Sequence, residues 1–184
     1  TRDFRNNILV NARSNSGATG KHYSIYLAGL TSLTISRNDY YTPGTGGVLG
    51  YYGSDRTTLG AWQTATGQDA GSLNANPQFA SAGGTTASNY IPSAQTLRAM
   101  TGTGISADYA GTARSASYPA MGAYEITVVP GVLVYISSVM QAGYSQLKDA
   151  FDAINAGTHS GDIEVRLNTS TSETASAVLN SSFI

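Results

Sequence analysis

The sequence predicts an all-β protein, and three observations support this fold class. Charged residues make up only 11% of the 184 residues, against about 25% in an average globular protein, so the surface must be built largely from Ser, Thr, Asn and Gln. Thr and Tyr favour strands, while Gly, Asn and Ser favour tight turns. Short apolar segments recur about every ten residues with turn residues between them, which is typical of a sandwich, a barrel or a solenoid.

An inexact internal repeat favours the solenoid among these three architectures. Segments 4–10 and 35–41 align at an offset of 31 residues, which matches Phe4 with Ile35 and Asn7 with Asn38. In a solenoid, an Asn that recurs in successive coils can form a ladder through its side-chain amide. Asn7 and Asn38 are therefore predicted to be structural ladder residues. The alternative is that both are ordinary turn asparagines.

Two further segments predict helices, and a third predicts a strand. Residues 57–66, followed by Gly67, have the spacing of one or two helical turns. Apolar residues at i, i+3, i+4 and i+7 within 145–156 predict an amphipathic helix, which Ser145 and Gly157 are placed to cap. Strict alternation over 162–168 predicts a half-exposed strand.

Four short motifs occur in order in the first 126 residues. They are Phe4-Arg-Asn-Asn-Ile-Leu-Val10, Asn76-Pro-Gln-Phe79, Asp108-Tyr-Ala-Gly-Thr-Ala-Arg114 and Met121-Gly-Ala-Tyr-Glu125. Together they resemble the C-terminal end of right-handed parallel β-helix domains of the pectate-lyase-like superfamily, which are common in large secreted and surface proteins of Bacteroidetes-type bacteria. Asn76 stands where that family usually has Asp, and the stretch that usually follows is reduced here to Ser93-Ala-Gln-Thr-Leu97.

The resemblance implies a right-handed parallel β-helix with a short capping helix near 145–156. Residues 1–127 would form the C-terminal coils and cap of one such domain. Residues 128–184 would form a linker, the capping helix and the first strands of a second domain. In the resembled family, Asp108, Arg114 and Glu125 lie in the terminal cap, where an Arg–carboxylate pair can be bidentate. They are assigned a structural role, with a catalytic acid and its partner as the alternative.

Charge and cysteine content exclude several classes of function. A net charge of −1 gives no basic surface for a phosphate backbone, so nucleic acid is not an expected partner. The absence of cysteine excludes disulfides, zinc knuckles and thiol catalysis. No apolar run approaches the roughly 18 residues of a membrane span. His22 and His159 are isolated in sequence, so neither a metal nor another cofactor is expected.

Aromatic residues in the 40–62 window are the best candidates for ligand binding, because aromatic faces stack on sugar rings. The predicted set, which includes two charged neighbours able to bind hydroxyl groups, is Tyr40, Tyr41, Tyr51, Tyr52, Asp55, Arg56 and Trp62. The alternative is that these aromatics form a local core. A carboxylate pair for glycoside hydrolysis could be drawn from Asp39, Asp55 and Asp69, but no sequence pattern brings them together, and no catalytic residue is assigned.

The expected function is a non-catalytic structural or adhesive segment of a secreted or cell-surface protein. Its expected partners are glycans or neighbouring copies of itself. One alternative is part of a polysaccharide lyase or glycoside hydrolase whose catalytic coils are mostly absent. The other is a filament subunit that stacks through open β-helix ends.

Overall fold

The computed structural model describes residues 1–17, 19–98, 104–116, 118–126 and 130–180. The chain divides into two compact units, Thr1–Glu125 and Ile126–Ile184. The predicted domain boundary between residues 127 and 128 lies outside the described residues, and each unit is considered by itself below.

The first unit contains seven short strands and one α-helix among its described residues. The strands are β1 (Arg2–Arg5), β2 (Ile8–Val10), β3 (His22–Leu27), β4 (Leu33–Ser36), β5 (Asp39–Tyr41), β6 (Gly47–Tyr52) and β7 (Ser54–Arg56), and the helix is α1 (Leu59–Thr66). Two 3₁₀ turns follow at Ala87–Tyr90 and Gln95–Leu97. The second unit contains β8 (Val132–Ile136), β9 (Val139–Tyr144), α2 (Leu147–Asn155) and β10 (Ile163–Leu167).

The 31-residue repeat is confirmed as a pairing register. Strand β1 pairs in parallel with β4, with Phe4 opposite Ile35, and β2 pairs in parallel with β5, with Leu9 opposite Tyr40. Strand β3 also pairs in parallel with β6, but His22 lies opposite Gly47, an offset of 25 residues. Two of the three parallel strand pairs therefore share the 31-residue offset, and the third pair, β3 with β6, has an offset of 25 residues.

The predicted fold class, an all-β right-handed parallel β-helix, is wrong. The described residues form four small sheets of two or three strands, with both parallel and antiparallel pairs, together with two α-helices. None of these sheets is the stacked parallel sheet of a solenoid. One physical reason is visible at Gly53, whose positive φ of 69° lets the chain reverse, so that β7 returns antiparallel along β6 and leads into α1.

Helix α1 ends at Gly67, as its sequence predicts, and it is capped at both ends. The Thr58 hydroxyl accepts a hydrogen bond from the Ala61 amide at 3.2 Å, and Gly67 ends the helix in the left-handed region. The helix buries Trp62 against Gly50, where an added Cβ would lie 2.7 Å from the indole ring. The core that forms around this contact contains Leu33, Ile35, Tyr40, Leu49 and Trp62.

The second unit is an antiparallel sheet with one helix packed on it. The strand order is β10-β8-β9, and Val132, Val134 and Ala150 form its core. The amphipathic helix is confirmed at Leu147–Asn155, with Gln146 rather than Ser145 at its N-cap. The helix packs on β8 and β9 of this antiparallel sheet, so the predicted role as the cap of a parallel β-helix is also corrected.

Candidate ligand-binding surface

Three tyrosines from neighbouring strands form what we call the tyrosine patch, Tyr23, Tyr26 and Tyr51. The parallel register places Tyr26 opposite Tyr51, and their rings stack with centroids 4.5 Å apart and planes within 4°. Tyr23 meets both rings edge-on at 5.9 and 5.8 Å. Tyr26 is 61% exposed, so the patch offers a broad aromatic surface to solvent.

The exposed ring of Tyr26 is positioned by the alternation of β3. Ile25 and Leu27 pack against the core that contains Trp62, and Tyr26 between them points the opposite way, as strand geometry requires. Burial of the apolar side thus fixes the orientation of the exposed tyrosine. The sheet is a rigid support for an aromatic surface, which lowers the entropy cost of binding.

A polar rim borders the patch on the side of β7. Asp55 lies opposite Tyr51 in the antiparallel register and forms an ion pair with Lys21. The Tyr23 hydroxyl donates to its other carboxylate oxygen at 2.8 Å. The hydrogen bond from Lys21, followed by the one from Tyr23, holds the pKa of Asp55 below its usual range. The lysine and aspartate charges cancel, so the rim offers hydrogen-bonding groups without a net charge.

Only part of the predicted binding set lies at this patch. Tyr51 and Asp55 do, whereas Lys21, Tyr23 and Tyr26 were missed by reasoning from the sequence. The signal that could have found them is the 25-residue register of β3 with β6. It differs from the 31-residue repeat, so the alignment of segments 4–10 and 35–41 could not reveal it.

Two of the predicted ligand-binding aromatics lie in the core instead. Tyr40 and Trp62 are both 0% exposed, so neither can reach a ligand at the surface. Their polar atoms bond to the buried carboxylate of Asp69, with the Trp62 Nε1 donating at 2.5 Å and the Tyr40 hydroxyl donating to the same oxygen. The Ser72 hydroxyl donates to the other oxygen. We call these four residues the aspartate hub.

The remaining predicted binding residues occupy intermediate positions. Tyr41 ends β5 and is half-buried. Tyr52 packs against the core. The Arg56 guanidinium folds back along its own hairpin and donates two hydrogen bonds to the Tyr52 carbonyl, at 3.3 and 3.1 Å. Tyr52 and Arg56 thus hold together the β6–β7 hairpin that carries the rim of the patch.

The two repeated asparagines make the amide contact that the sequence predicts. Asn7 donates from both its backbone N–H and its Nδ2 to the Asn38 Oδ1, each at 3.0 Å. The Asn38 Nδ2 in turn donates to the Phe4 carbonyl at 2.8 Å. Asn38 is fully buried. Its side-chain amide therefore satisfies two backbone groups, the Asn7 N–H and the Phe4 carbonyl, beside the bend between β1 and β2.

The third predicted set, Asp108, Arg114 and Glu125, forms a compact, partly buried cluster around Glu125. The Arg114 guanidinium lies 3.3 Å from the Glu125 carboxylate and donates to the Gly122 carbonyl at 2.7 Å. Asp108 accepts the Glu125 backbone N–H at 2.8 Å, and that hydrogen bond is the main cause of a lowered pKa for Asp108. Arg98, which sequence reasoning missed, lies 3.6 Å from Glu125 and is 2% exposed.

The three aspartates considered for glycoside hydrolysis are not arranged around one surface. Asp39 and Asp69 are 0% and 1% exposed, whereas Asp55 belongs to the rim of the patch. One oxygen of Asp39 accepts the Ala75 N–H at 2.8 Å, and the other has no hydrogen-bond partner. Burial raises the pKa of Asp39 to about 6.

Each of the two histidines makes a local hydrogen bond within its own unit. The His22 Nε2 lies 2.7 Å from the Asn15 Oδ1, and the His159 Nε2 lies 2.7 Å from the Tyr144 hydroxyl. In the part of the chain that the structure describes, no group of three His, Cys, Asp or Glu side chains could hold a metal ion. No helix among the described residues is long and apolar enough to cross a membrane.

Comparisons of the chain with known protein families, with curated proteins and with solved structures found no match. The resemblance to bacterial surface proteins therefore stays a prediction from the four motifs.

Proposed function

We propose that the chain is a non-catalytic segment of an extracellular surface protein and that it contacts glycans through the tyrosine patch. The exposed stack of Tyr26 and Tyr51 carries this proposal. Tyrosine supplies a large contact area at a low entropy cost and keeps a hydroxyl for hydrogen bonding. An exposed cluster of aromatic side chains on a rigid sheet is a feature of binding surfaces rather than of general protein surface.

The chemistry of the patch favours a neutral sugar. The apolar C–H face of a pyranose can lie on the Tyr26 ring, whose outer face is not covered by Tyr51. Hydroxyl groups at the edge of the sugar can then bond to the rim formed by Lys21 and Asp55. Because the rim has no net charge, it offers no counter-charge to a sulfated or uronic-acid chain, whose desolvation would go uncompensated.

The positions of the acids support a role without catalysis. Hydrolysis of a glycosidic bond needs two carboxyl groups that face one another across the substrate. Asp39 and Asp69 are enclosed in the core, and Asp55 is held by Lys21 and Tyr23. These three aspartates therefore cannot provide an acid and a base together at the surface of the patch.

The proposal is tested by glycan-array binding of the purified chain, followed by titration calorimetry with the best neutral oligosaccharide. We expect Tyr26→Ala to weaken that affinity by about tenfold, the upper range for loss of one aromatic contact. The matched control is Tyr109→Ala, because Tyr109 is 82% exposed and makes an edge-to-face contact with Tyr124 outside the patch. Equal affinity of the two variants, or binding of anionic glycans alone, contradicts the proposal.

A second readout separates binding from turnover. The chain is incubated with the polysaccharide from which the bound oligosaccharide derives, and new reducing ends are measured. We expect none above the buffer blank. Steady release of reducing ends, lost in Asp55→Asn, would instead establish a carbohydrate-active enzyme.

A further inference from the structure

Strands β3 and β6 lie side by side in the first unit with no covalent bond between them. They pair in parallel, with Tyr26 opposite Tyr51 at an offset of 25 residues. Disulfides fix contacts of this kind in many secreted proteins, but the sequence has no cysteine. A covalent bond between these strands must therefore come from other side chains, and the two tyrosines are the pair to consider.

The rings of Tyr26 and Tyr51 have the arrangement from which two phenoxyl radicals couple. Their centroids lie 4.5 Å apart and their planes are within 4° of each other, so the two π-systems face each other. An oxidised phenol carries much of its unpaired electron on the ring carbons beside the hydroxyl group. Because the two residues are directly opposite in a parallel pair, their side chains leave neighbouring backbones in the same direction. Equivalent carbons of the two rings are therefore neighbours.

An oxidant in solution can reach this pair of rings. Tyr26 is 61% exposed, and Tyr51 is half-buried. Tyr109 is more exposed still, but its ring meets that of Tyr124 edge-on, with an angle of 81° between the planes and 5.9 Å between the centroids. Among the ring contacts of the described residues, exposure and face-to-face stacking therefore coincide at Tyr26 and Tyr51 alone.

We propose that Tyr26 and Tyr51 form an oxidative modification site, at which a dityrosine bond joins β3 to β6. The co-reactant is hydrogen peroxide acting through a haem peroxidase. Each phenol gives up one electron and its hydroxyl proton, and the two radicals form a carbon–carbon bond between ring carbons beside their hydroxyl groups. The hydrogens on those two carbons then move to the oxygens and restore both phenols. In total the pair loses two hydrogen atoms, and one peroxide becomes two molecules of water.

The dityrosine bond acts on the fold as a disulfide does. It closes the chain between β3 and β6 into a loop, which reduces the conformational freedom of the unfolded chain and so stabilises the folded one. The residues that it joins are already opposite each other, so the strands keep their register. The proposal does not depend on glycan binding, because it uses the contact between the two rings and not the outer face of either.

The test treats the dilute, purified full chain with a haem peroxidase and hydrogen peroxide. Monomeric product is isolated by denaturing electrophoresis, so that bonds between molecules are set aside, and is then digested with trypsin. Trypsin places Tyr26 in peptide 22–37 and Tyr51 in peptide 38–56. We expect these two peptides to appear as one species whose mass is below their sum by two hydrogens, with fragment ions that place the bond on Tyr26 and Tyr51.

Two variants that each lose a single hydroxyl group give the matched comparison. Tyr26→Phe keeps the stacked ring but removes the phenol, so we expect the linked peptides to be lost. Tyr52→Phe removes a phenol from the other peptide, but Tyr52 packs against the core, so we expect the linked peptides to be kept. After treatment, we also expect the original chain to unfold at a higher urea concentration than Tyr26→Phe, whereas the two untreated proteins unfold alike.

Four outcomes overturn the proposal. The first is the absence of the linked peptides from the treated monomer. The second is a bond that fragment ions place on Tyr23, since its ring meets the other two edge-on. The third is a bond between Tyr109 and Tyr124 in equal yield, because stacking would then have no effect. The fourth is an unchanged urea midpoint in the linked chain, which would show that the bond does not stabilise the fold.

Discussion

The aspartate hub and the tyrosine patch use the same chemical groups in opposite surroundings. In each, a tyrosine hydroxyl donates to an aspartate, Tyr40 to Asp69 in the core and Tyr23 to Asp55 at the surface. In the hub every donor that meets the carboxylate comes from a buried side chain. At the patch the aspartate is shared with a lysine that is more than half exposed. Burial, not residue type, separates the structural cluster from the exposed patch.

The largest expected effect comes from removing the carboxylate of the hub. Asp69→Ala leaves the Tyr40 hydroxyl, the Trp62 Nε1 and the Ser72 hydroxyl without their shared acceptor in the core. Since each buried unsatisfied donor costs about 1–3 kcal/mol, we expect the free energy of unfolding in urea to fall by about 4 kcal/mol or more. The control is Asp55→Ala, the equivalent change at the patch. A similar fall in the free energy of unfolding in both variants would contradict the claim that burial separates the hub from the patch.

The cluster around Glu125 extends the comparison to a second buried site. Arg114→Ala removes an ion pair and a hydrogen bond to the Gly122 carbonyl and leaves Glu125 with the more distant Arg98. Breaking a buried pair costs roughly 3–5 kcal/mol, and the remaining arginine reduces this to about 3 kcal/mol. We expect a lower melting temperature with unchanged glycan affinity. An unchanged melting temperature would show that the pair does not stabilise the unit.

Asp39 gives a pH-dependent test of burial. Its folded pKa is about 6 against an ordinary 3.8, so folding favours the protonated form. The stability that this group contributes is fully present below pH 3.8, decreases as the pH rises, and is lost above about 6. Two pKa units correspond to about 3 kcal/mol.

The measurement is urea unfolding of the chain and of Asp39→Asn between pH 3.5 and 7. The lowered pKa values of Asp55 and Asp108 act in the opposite sense, because their contributions are lost on acidification. They are present in both proteins, so the difference between the two curves isolates Asp39. If the difference in unfolding free energy between the two proteins does not change with pH, the raised pKa of Asp39 is contradicted.

The smallest expected change in stability is at the patch itself. Asp55→Asn removes an exposed ion pair, and exposed pairs contribute little to stability because solvent screens them. We expect unfolding in urea to be nearly unchanged, while affinity for a neutral glycan falls because the rim loses an acceptor. Stability would then depend on Asp69 in the hub and glycan affinity on Asp55 at the patch, which distinguishes the two sites by experiment.

Pairing was easier to predict than architecture. The alignment of Asn7 with Asn38 and of Leu9 with Tyr40 gave the correct register of β2 with β5, because a polar corner residue and an apolar core residue recur together. Helices α1 and α2 followed from the local spacing of their apolar residues and from the glycines after them, although the predicted N-cap Ser145 was wrong. The fold class was wrong because the same alternation serves parallel and antiparallel strands, and residues 162–168 pair antiparallel with β8.

The tyrosine patch was only partly predictable for a related reason. Tyr40 and Tyr51 lie in strands with similar sequence patterns. The sequence does not show that Tyr40 faces Trp62 in the core and that Tyr51 lies on the side that faces water. The deciding partner of Tyr40 is Asp69, 29 residues away. That contact depends on the path of the chain through α1, and no local pattern encodes it.

The arrangement of the first three strands also has a mechanical consequence. Strands β1, β2 and β3 pair only with β4, β5 and β6 among the described residues, and they occur in chain order from residue 2. A pull applied at residue 1 therefore loads β1 before β2, and β2 before β3. We expect extension under tension to separate the three strand pairs in that order and to release up to about 90 Å of chain.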